Sequence, residues 1–199
     1  MKKLKFRDTL RRTLEIDAAN DRLLLMNLYM TQGLTLAVSL IIFLIQRQNP
    51  LHLFQTADPG AAVAWGIGFG AAVLLADLLV SRWVPEEAAD DGGINKMLFG
   101  SRAVWHIALI SAVAAICEEL LFRGAIQHAW GPYWTSILFA AIHVRYLRHW
   151  VPTGLVFCIS YGLGWIYQET GTIWCPILAH FVIDLVMGLI LRFGKGEAT

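Results

Sequence analysis

The sequence predicts an all-α integral membrane protein, folded as one polytopic bundle of about six transmembrane helices. The first observation is composition, because 57% of the 199 residues are hydrophobic and only 16% are charged. Soluble domains average about 25% charged residues, and a globule of this size cannot bury so much apolar surface. The second observation is that the apolar residues fall into six runs, most of them near the roughly 20 residues that span a bilayer. The third is the distribution of Lys and Arg, which predicts that both termini are cytoplasmic.

The chain begins with a basic tail, residues 1–22, which we expect to lie in the cytoplasm. Its apolar positions Leu4, Leu10 and Leu14 leave open a placement along the membrane surface. Residues 23–46 follow as the first span. This run is too long for the apolar core of a signal peptide and lacks a cleavage site, so we expect it to be retained.

Five further apolar runs predict the remaining spans, and turn-forming residues separate them. The runs are 61–80, 103–122, 133–144, 151–168 and 173–193. Gly131-Pro132 separates the third run of the chain from the fourth, which is short, so its helix is expected to extend toward Trp130 or Leu147. No linker divides the chain. We therefore predict a single transmembrane domain over 23–193, with a motif core at 103–193, and a short cytoplasmic tail over 194–199.

The charges orient this bundle. With the N-terminus inside, 14 of the 16 Lys and Arg residues fall on the cytoplasmic side of six spans, and only Arg47 and Arg123 fall outside. The positive-inside rule therefore predicts the arrangement with both termini inside. The net charge of +1 gives no reason to expect a nucleic-acid partner. The three cysteines lie within apolar runs and form no CxxC pair, which argues against a disulfide framework or a zinc ribbon.

Six ionisable residues interrupt the apolar runs of the second half of the chain. They are Glu118, Glu119, Arg123, His143, His180 and Asp184. An Asp, Lys or Arg at the centre of a membrane helix costs roughly 2.5–3.5 kcal/mol on insertion scales. This cost predicts that the six side chains face one another and not the lipid. Asp77, in the second run, is interpreted as a packing residue or as part of the cavity lining.

Helical spacing predicts two pairs among these residues, because side chains four positions apart share a helix face. Glu119 is expected to pair with Arg123, and His180 with Asp184. Glu118 points about 100° away from Glu119 around the helix and must find its partner on another span.

The natural partners of Glu118 are His143 and His180, which come from two other runs. A desolvated carboxylate is basic enough to take a proton from water, and a histidine can orient that water. A second histidine can donate a hydrogen bond to a developing oxyanion. The set therefore predicts activation of water for acyl hydrolysis inside the membrane. Cys117 adjoins Glu118 in the sequence but projects from a different part of the helix. The set therefore lacks a serine or cysteine nucleophile beside a base, which argues against a covalent nucleophile.

Other interpretations of the same residues stay open at this point. Glu118, His143 and His180 are acceptable zinc ligands, which would make the protein metalloendopeptidase-like, although no HExxH motif is present. The pair of Glu119 and Arg123 is interpreted as a structural ion pair that fixes the helix, with a direct part in the chemistry as the alternative. The small-residue pairs Gly66/Gly70 and Ser160/Gly164 favour packing within the bundle, with a homodimer seam as the alternative.

Three short motifs in order give the chain a resemblance to a known family. They read Glu118-Glu119-Leu-Leu-Phe-Arg123, Phe139-Ala-Ala-Ile-His143 and His180-Phe-Val-Ile-Asp184. This pattern, with its flanking residues, resembles the CPBP family of CAAX proteases and bacteriocin-processing enzymes, also called the Abi family. The resemblance covers about 103–193.

The resemblance implies an intramembrane glutamic-type endopeptidase that uses no metal and no other cofactor. In that family's pattern Glu118 activates the attacking water with the help of His143. His180 and the residue at position 184 stabilise the oxyanion, while Glu119 and Arg123 organise the site. The eukaryotic CAAX enzymes carry Asn where this chain has Asp184. Because an ionised Asp cannot donate a hydrogen bond, we expect Asp184 to orient His180 instead.

The resemblance also implies a membrane-associated peptide or protein as substrate and the lipid bilayer as surroundings, in a prokaryotic-type inner membrane. A prenylated CAAX tail, a bacteriocin leader and a C-terminal sorting anchor are the substrate classes left open. The alternative function is a non-catalytic membrane scaffold or immunity protein of the same fold. A small proton-coupled transporter is a third interpretation, and the absence of an inverted repeat counts against it.

Overall fold

The computed structural model describes the backbone of residues 2–85 and 93–194, and the side chains of 20–85, 93–144 and 146–194. The apolar stripe expected in the basic tail, Lys195 and nearly all of the C-terminal tail lie outside the described side chains.

The helices, numbered in chain order, are α1 (Lys2–Gln46), α2 (Pro59–Val80), α3 (Ile94–Phe99), α4 (Val104–Glu119), α5 (Gln127–Ile142), α6 (Trp150–Thr170) and α7 (Trp174–Phe193). Between α4 and α5 the chain forms a π-helical segment, Leu120–Ile126. Over the described residues there is no β-strand, which confirms the all-α prediction.

Five helical segments are long and apolar enough to cross a membrane. They are Asn20–Gln46, Pro59–Val80, Val104–Ile142, Trp150–Thr170 and Trp174–Phe193. Only 11% of the apolar window of α2 is buried inside the protein, so most of that surface must face lipid. The predicted breaks are also present. Asp58 caps α2 by accepting a hydrogen bond from the amide of Ala61 at 2.9 Å, and Gly171 ends α6 with a positive φ of 66°.

The segment Val104–Ile142 is a helical hairpin and contains the third and fourth predicted spans. Gly131 has φ 71° and ψ 170°, a conformation outside the helical region. The rings of Phe122 and Phe139 lie 4.8 Å apart, whereas 17 residues of straight helix would separate them by about 25 Å. The chain therefore reverses at Gly131-Pro132, as the sequence predicted. The returning arm ends at Ile142 and is extended by a 3₁₀ turn, Val144–Tyr146, and not by further α-helix.

Helix α7 packs against α2 through the small residues of α2. A Cβ atom on Gly66 would lie 2.7 Å from Cβ of Leu178, and one on Gly70 would lie 3.1 Å from the carbonyl oxygen of Ala179. These distances are too short for a larger side chain, so the two glycines allow the backbones to approach. The prediction that Gly66/Gly70 serves packing within the bundle is confirmed.

Three helix ends that the charge pattern assigns to the same side of the membrane meet at one end of the bundle. Arg102, just before α4, forms an ion pair with Asp21 of α1. Its carbonyl oxygen accepts a 2.9 Å hydrogen bond from Nε of Arg192, at the end of α7. The relative threading of these spans therefore agrees with the six-span scheme. The assignment of this end to the cytoplasm stays a prediction.

Candidate active site

The ring of Phe139 lies where the three sequence motifs meet. It contacts Phe122 of the first motif at 4.8 Å between ring centroids, and the guanidinium carbon of Arg123 lies 5.4 Å from its centroid. Its centroid lies 4.5 Å from the ring of His143 in its own motif and 6.5 Å from the ring of His180 in the third. Motifs separated by up to 60 residues thus form one cluster, which the cost of burying polar groups in lipid predicted.

Glu119 and Arg123 form the buried ion pair that their spacing predicted. Oε2 of Glu119 lies 3.1 Å from Nε of Arg123, and both side chains have no solvent exposure. The other end of the guanidinium donates to Ser160 of α6, to its carbonyl oxygen at 2.7 Å and to its hydroxyl at 3.0 Å. Arg123 is therefore a bundle residue and not the outer-side charge that the orientation count assumed.

A π-helical segment, Leu120–Ile126, follows Glu119 directly and determines how the end of the first motif packs. Such turns are rare in proteins and occur frequently at functional sites. The segment is buried, and Gly124 within it lies so close to Phe43 of α1 that an added Cβ would approach the ring to 2.8 Å. Gln127, just beyond the segment, donates a 2.8 Å hydrogen bond to the carbonyl oxygen of Gly164. The segment is thereby held between α1 and α6.

His180 lies between two carboxylates. Its Nδ1 is 2.8 Å from Oε1 of Glu119, and its Nε2 is 3.5 Å from Oδ2 of Asp184 one helical turn later. The expected pair of His180 and Asp184 is present, but the expected contact of His180 with Glu118 is replaced by one with Glu119. Sequence spacing gave Glu119 only its intrahelical partner. The physical reason for the difference is that a carboxylate has two oxygens, and the second one reaches across to α7.

Glu118 is half-buried and finds its partner on α1. Its Oε1 accepts a 2.8 Å hydrogen bond from Nε2 of Gln32. Among the described residues no histidine hydrogen-bonds to Glu118, so the expected direct contact with His143 is absent from this arrangement. The sequence interpretation overlooked Gln32, although a glutamine inside an apolar run carries the same signal as the residues it did single out.

His143 ends the returning arm of α5 and is half-buried. Its Nδ1 donates a 2.7 Å hydrogen bond to the carbonyl oxygen of Phe139, because a carbonyl can only accept. In the neutral ring this assigns the proton to Nδ1 and leaves the lone pair on Nε2. The ring of Tyr146 stacks at 6.2 Å, and its hydroxyl accepts a 3.0 Å hydrogen bond from Asn95. His143 is therefore oriented from both sides.

The site lies at membrane depth. Gln32 is about 18 Å from the start of the span Asn20–Gln46 and about 21 Å from its end, at 1.5 Å per residue. Asp184 lies near the middle of Trp174–Phe193. The side chain of Asp184 is 34% exposed, whereas that of Glu119 is fully buried. Glu118, His143 and Asp184 are thus the half-buried, more accessible side chains of the site, whereas the ion pair of Glu119 and Arg123 is fully buried.

Two other predictions from the sequence concern ligands and cysteines. Within the described part of the chain, no three side chains of His, Cys, Asp or Glu converge as metal ligands would. Glu118, His143 and His180 therefore do not form the zinc set considered above. The three cysteines are free, in agreement with the expectation of no disulfide framework.

Comparisons with known proteins agree with the motifs. Residues 100–186 match the family described as "Type II CAAX prenyl endopeptidase Rce1-like". The chain is 38% identical over 154 residues to the uncharacterized protein YpbD of Bacillus subtilis (strain 168), an alignment that covers 77% of this chain and 80% of that protein. No solved structure matches significantly. The chain belongs to the Rce1-like family of type II CAAX prenyl endopeptidases, within the CPBP family, and is an integral membrane protein.

Proposed function

We propose that this protein is an intramembrane endopeptidase in which Glu118 activates a water molecule for attack on a peptide bond. The observation that supports it most is the contact of Phe139 with side chains of all three motifs. The three motifs that it joins carry two half-buried carboxylates, Glu118 and Asp184, together with two histidines that have fixed partners and a buried ion pair. Such a set can bind a water molecule, take its proton and stabilise an oxyanion, which are the requirements of peptide hydrolysis.

In the proposed reaction the water oxygen forms a bond to the scissile carbonyl carbon while Glu118 takes its proton. The lone pair on Nε2 of His143 accepts a hydrogen bond from the second O–H of the water and so orients it. When the tetrahedral intermediate collapses, the carbon–nitrogen bond breaks and Glu118 returns the proton to the departing amine. The products are a carboxylic acid and an amine, which exchange a proton to become a carboxylate and an ammonium group, and Glu118 is regenerated as a carboxylate.

His180 supplies the proposed oxyanion donor. Its Nδ1 is committed to Glu119, which is ionised in its pair with Arg123, so Nδ1 must carry a proton. Its Nε2 faces Asp184 at 3.5 Å, which is longer than a good hydrogen bond. The N–H at Nε2 therefore makes only a weak contact with Asp184 and can donate a hydrogen bond to a developing oxyanion beside it. Asp184 orients His180.

The proposed substrate is a membrane-associated peptide or protein cut near the bilayer. The family description names a prenylated CAAX tail, and a bacteriocin leader and a C-terminal sorting anchor are the other classes that we weigh. A relative in Bacillus subtilis supports a prokaryotic membrane as the location. The cleaved bond lies at the depth of Glu118 in each case.

The proposal is tested by mass spectrometry of the termini of membrane proteins. Cells that express the wild-type protein are compared with cells that express Glu118→Ala, and with cells that express Asp77→Ala, a variant at the carboxylate near the end of the span Pro59–Val80. We expect at least one membrane protein to carry a shifted terminus in the wild-type and Asp77→Ala cells and not in the Glu118→Ala cells. Identical termini in all three would favour the non-catalytic scaffold.

A further inference from the structure

Gln32 is the residue of α1 that touches the site, and it lies well outside the matched family region of 100–186. It is 7% exposed, in the middle of a span whose neighbouring positions Gly33 and Leu34 are exposed. A buried amide in a membrane helix must find partners or lose several kcal/mol of solvation. Its Nε2 finds Oε1 of Glu118 at 2.8 Å. An ionised carboxylate only accepts, so this orientation of the amide is the one that forms a hydrogen bond.

Contacts on both sides of Gln32 fix its height against α4 and the π-helical segment. One turn before it, the hydroxyl of Tyr29 lies 3.0 Å from Nε2 of His106. Farther along α1, Phe43 packs on Gly124, and Nε2 of Gln46 donates to the carbonyl oxygen of Ala125 at 3.1 Å. Gln32 is therefore held in place by its own helix, independently of Glu118. A donor in a fixed position can orient a carboxylate that has few other contacts.

The hydrogen bond between Gln32 and Glu118 uses only one polar atom of each side chain. Only Oε1 of Glu118 receives the hydrogen bond, so the other carboxylate oxygen can accept a proton. The amide oxygen of Gln32 is buried and has no hydrogen-bond partner among the described residues. Gln46 and Gln127 carry such an oxygen as well, but that of Gln32 belongs to the amide that contacts Glu118, so it can accept a hydrogen bond from a reacting molecule. The O–H of the attacking water and the N–H of a substrate backbone are the donors of matching chemistry.

We propose that Gln32 is a positioning residue for the reaction. It holds Glu118 as an oriented carboxylate through its amide nitrogen, and its amide oxygen accepts a hydrogen bond from the water or from the substrate backbone. Helix α1 is then part of the active site and not only a membrane anchor. This inference rests on the proposed function for its chemistry, although the contact itself is testable without it.

Gln46 is the matched control for Gln32. Both are glutamines of α1 that donate a hydrogen bond through Nε2, Gln32 to Glu118 of α4 and Gln46 to Ala125 of the π-helical segment. In both, the amide oxygen has no hydrogen-bond partner among the described residues. Gln46, however, bonds a backbone carbonyl and has no contact with Glu118. A purely structural role would make the two equally sensitive to substitution.

The variants are Gln32→Met and Gln46→Met, which keep length but remove the donor, and Gln32→Glu, which keeps shape but replaces the donor with an acceptor. Each full-length protein is reconstituted in proteoliposomes and assayed on the membrane protein identified by the survey of termini.

We expect kcat of Gln32→Met to fall about 10- to 100-fold, the value of a hydrogen bond to a charged group, with KM changed less than about threefold. Gln46→Met should keep kcat within about threefold. The kcat of Gln32→Glu should fall at least as far as that of Gln32→Met. Gln32→Glu is the variant that tests the proposal if Gln32→Met does not fold. Wild-type kcat in Gln32→Met or Gln32→Glu would overturn the proposal.

Infrared difference spectroscopy separates this proposal from the proposed function. The spectrum of wild type minus Glu118→Gln isolates the carboxylate band of Glu118. We expect that band to shift when Gln32→Met is the background and to stay in place with Gln46→Met. An unshifted Glu118 band in the Gln32→Met background would show that Gln32 does not bond Glu118, and would overturn the inference whatever the activity. A shifted band in a protein that cleaves nothing supports the contact and overturns the proposed function together with the role assigned to Gln32.

Discussion

Glu119 and His180 are joined by a 2.8 Å contact between Oε1 and Nδ1 that links the π-helical hairpin to α7. Because Oε2 of Glu119 also pairs with Arg123, the first and third motifs form one buried unit. The ion pair of Glu119 and Arg123, interpreted above as structural, therefore also connects to His180. The pair also determines which nitrogen of His180 remains available to the site.

Removal of Arg123 should destabilise the protein strongly. Arg123→Met leaves the charge of Glu119 buried without its cation, and breaking a buried pair in this way costs about 3–5 kcal/mol. Arg82→Met, at an exposed position, should change the free energy of unfolding by less than about 0.5 kcal/mol. A reversible unfolding titration in mixed micelles measures both. Equal stability of the two variants would contradict the buried pair described here.

The variant His143→Asn tests the role of Nε2 of His143 separately from that of Nδ1. The asparagine amide nitrogen can replace Nδ1 and keep the hydrogen bond to Phe139, but nothing replaces Nε2. We expect a folded protein whose kcat is lower by about 10²- to 10⁴-fold, the range of general acid–base catalysis. The control is His128→Asn at an exposed position of α5. Wild-type turnover in His143→Asn would mean that Nε2 has no part in the reaction.

Position 184 should tolerate asparagine and not alanine. An asparagine oxygen can still accept from Nε2 of His180, whereas alanine leaves that nitrogen without its partner. We therefore predict that Asp184→Asn keeps activity and that Asp184→Ala loses most of it, measured as kcat/KM. If Asp184→Ala cleaves as well as wild type, the orienting role is wrong.

Gly131 should be intolerant of any side chain. Its φ of 71° and ψ of 170° lie in a region that is essentially restricted to glycine, so Gly131→Ala should cost about 1–3 kcal/mol. No atom crowds the position, so the effect would come from the backbone alone. Gly154→Ala, in open space within α6, should be neutral or stabilising by up to about 1 kcal/mol. Similar thermal stability of the two variants would show that the chain reversal does not depend on this conformation.

The helices and the residues of the site follow from the sequence because each rests on a strong local signal. The apolar runs, the Gly131-Pro132 break and the Gly66/Gly70 pair all correspond to features of the fold. The pairings of Glu119 with Arg123 and of His180 with Asp184 follow from helical spacing. Orientation across the membrane, domain limits and residue roles stay predictions.

The contacts between helices could not be predicted in the same way. Spacing along one helix says nothing about the second oxygen of Glu119, and so His180 was assigned to Glu118. The π-helical turn has no sequence signature of its own, although it changes which faces of the segment meet α1 and α6. Gln32 could have been noticed as a polar group in an apolar run, but its partner depends on how α1 packs against α4. Tertiary packing decides each of these cases.

The central claim is that Glu118 carries out peptide hydrolysis at membrane depth. The most direct measurement is turnover by purified protein in proteoliposomes, with the membrane protein that shows a shifted terminus as substrate, for wild type and for Glu118→Gln. The account predicts product from wild type, no detectable product from Glu118→Gln, and the same unfolding transition for both. Product formation by Glu118→Gln at the wild-type rate would contradict it.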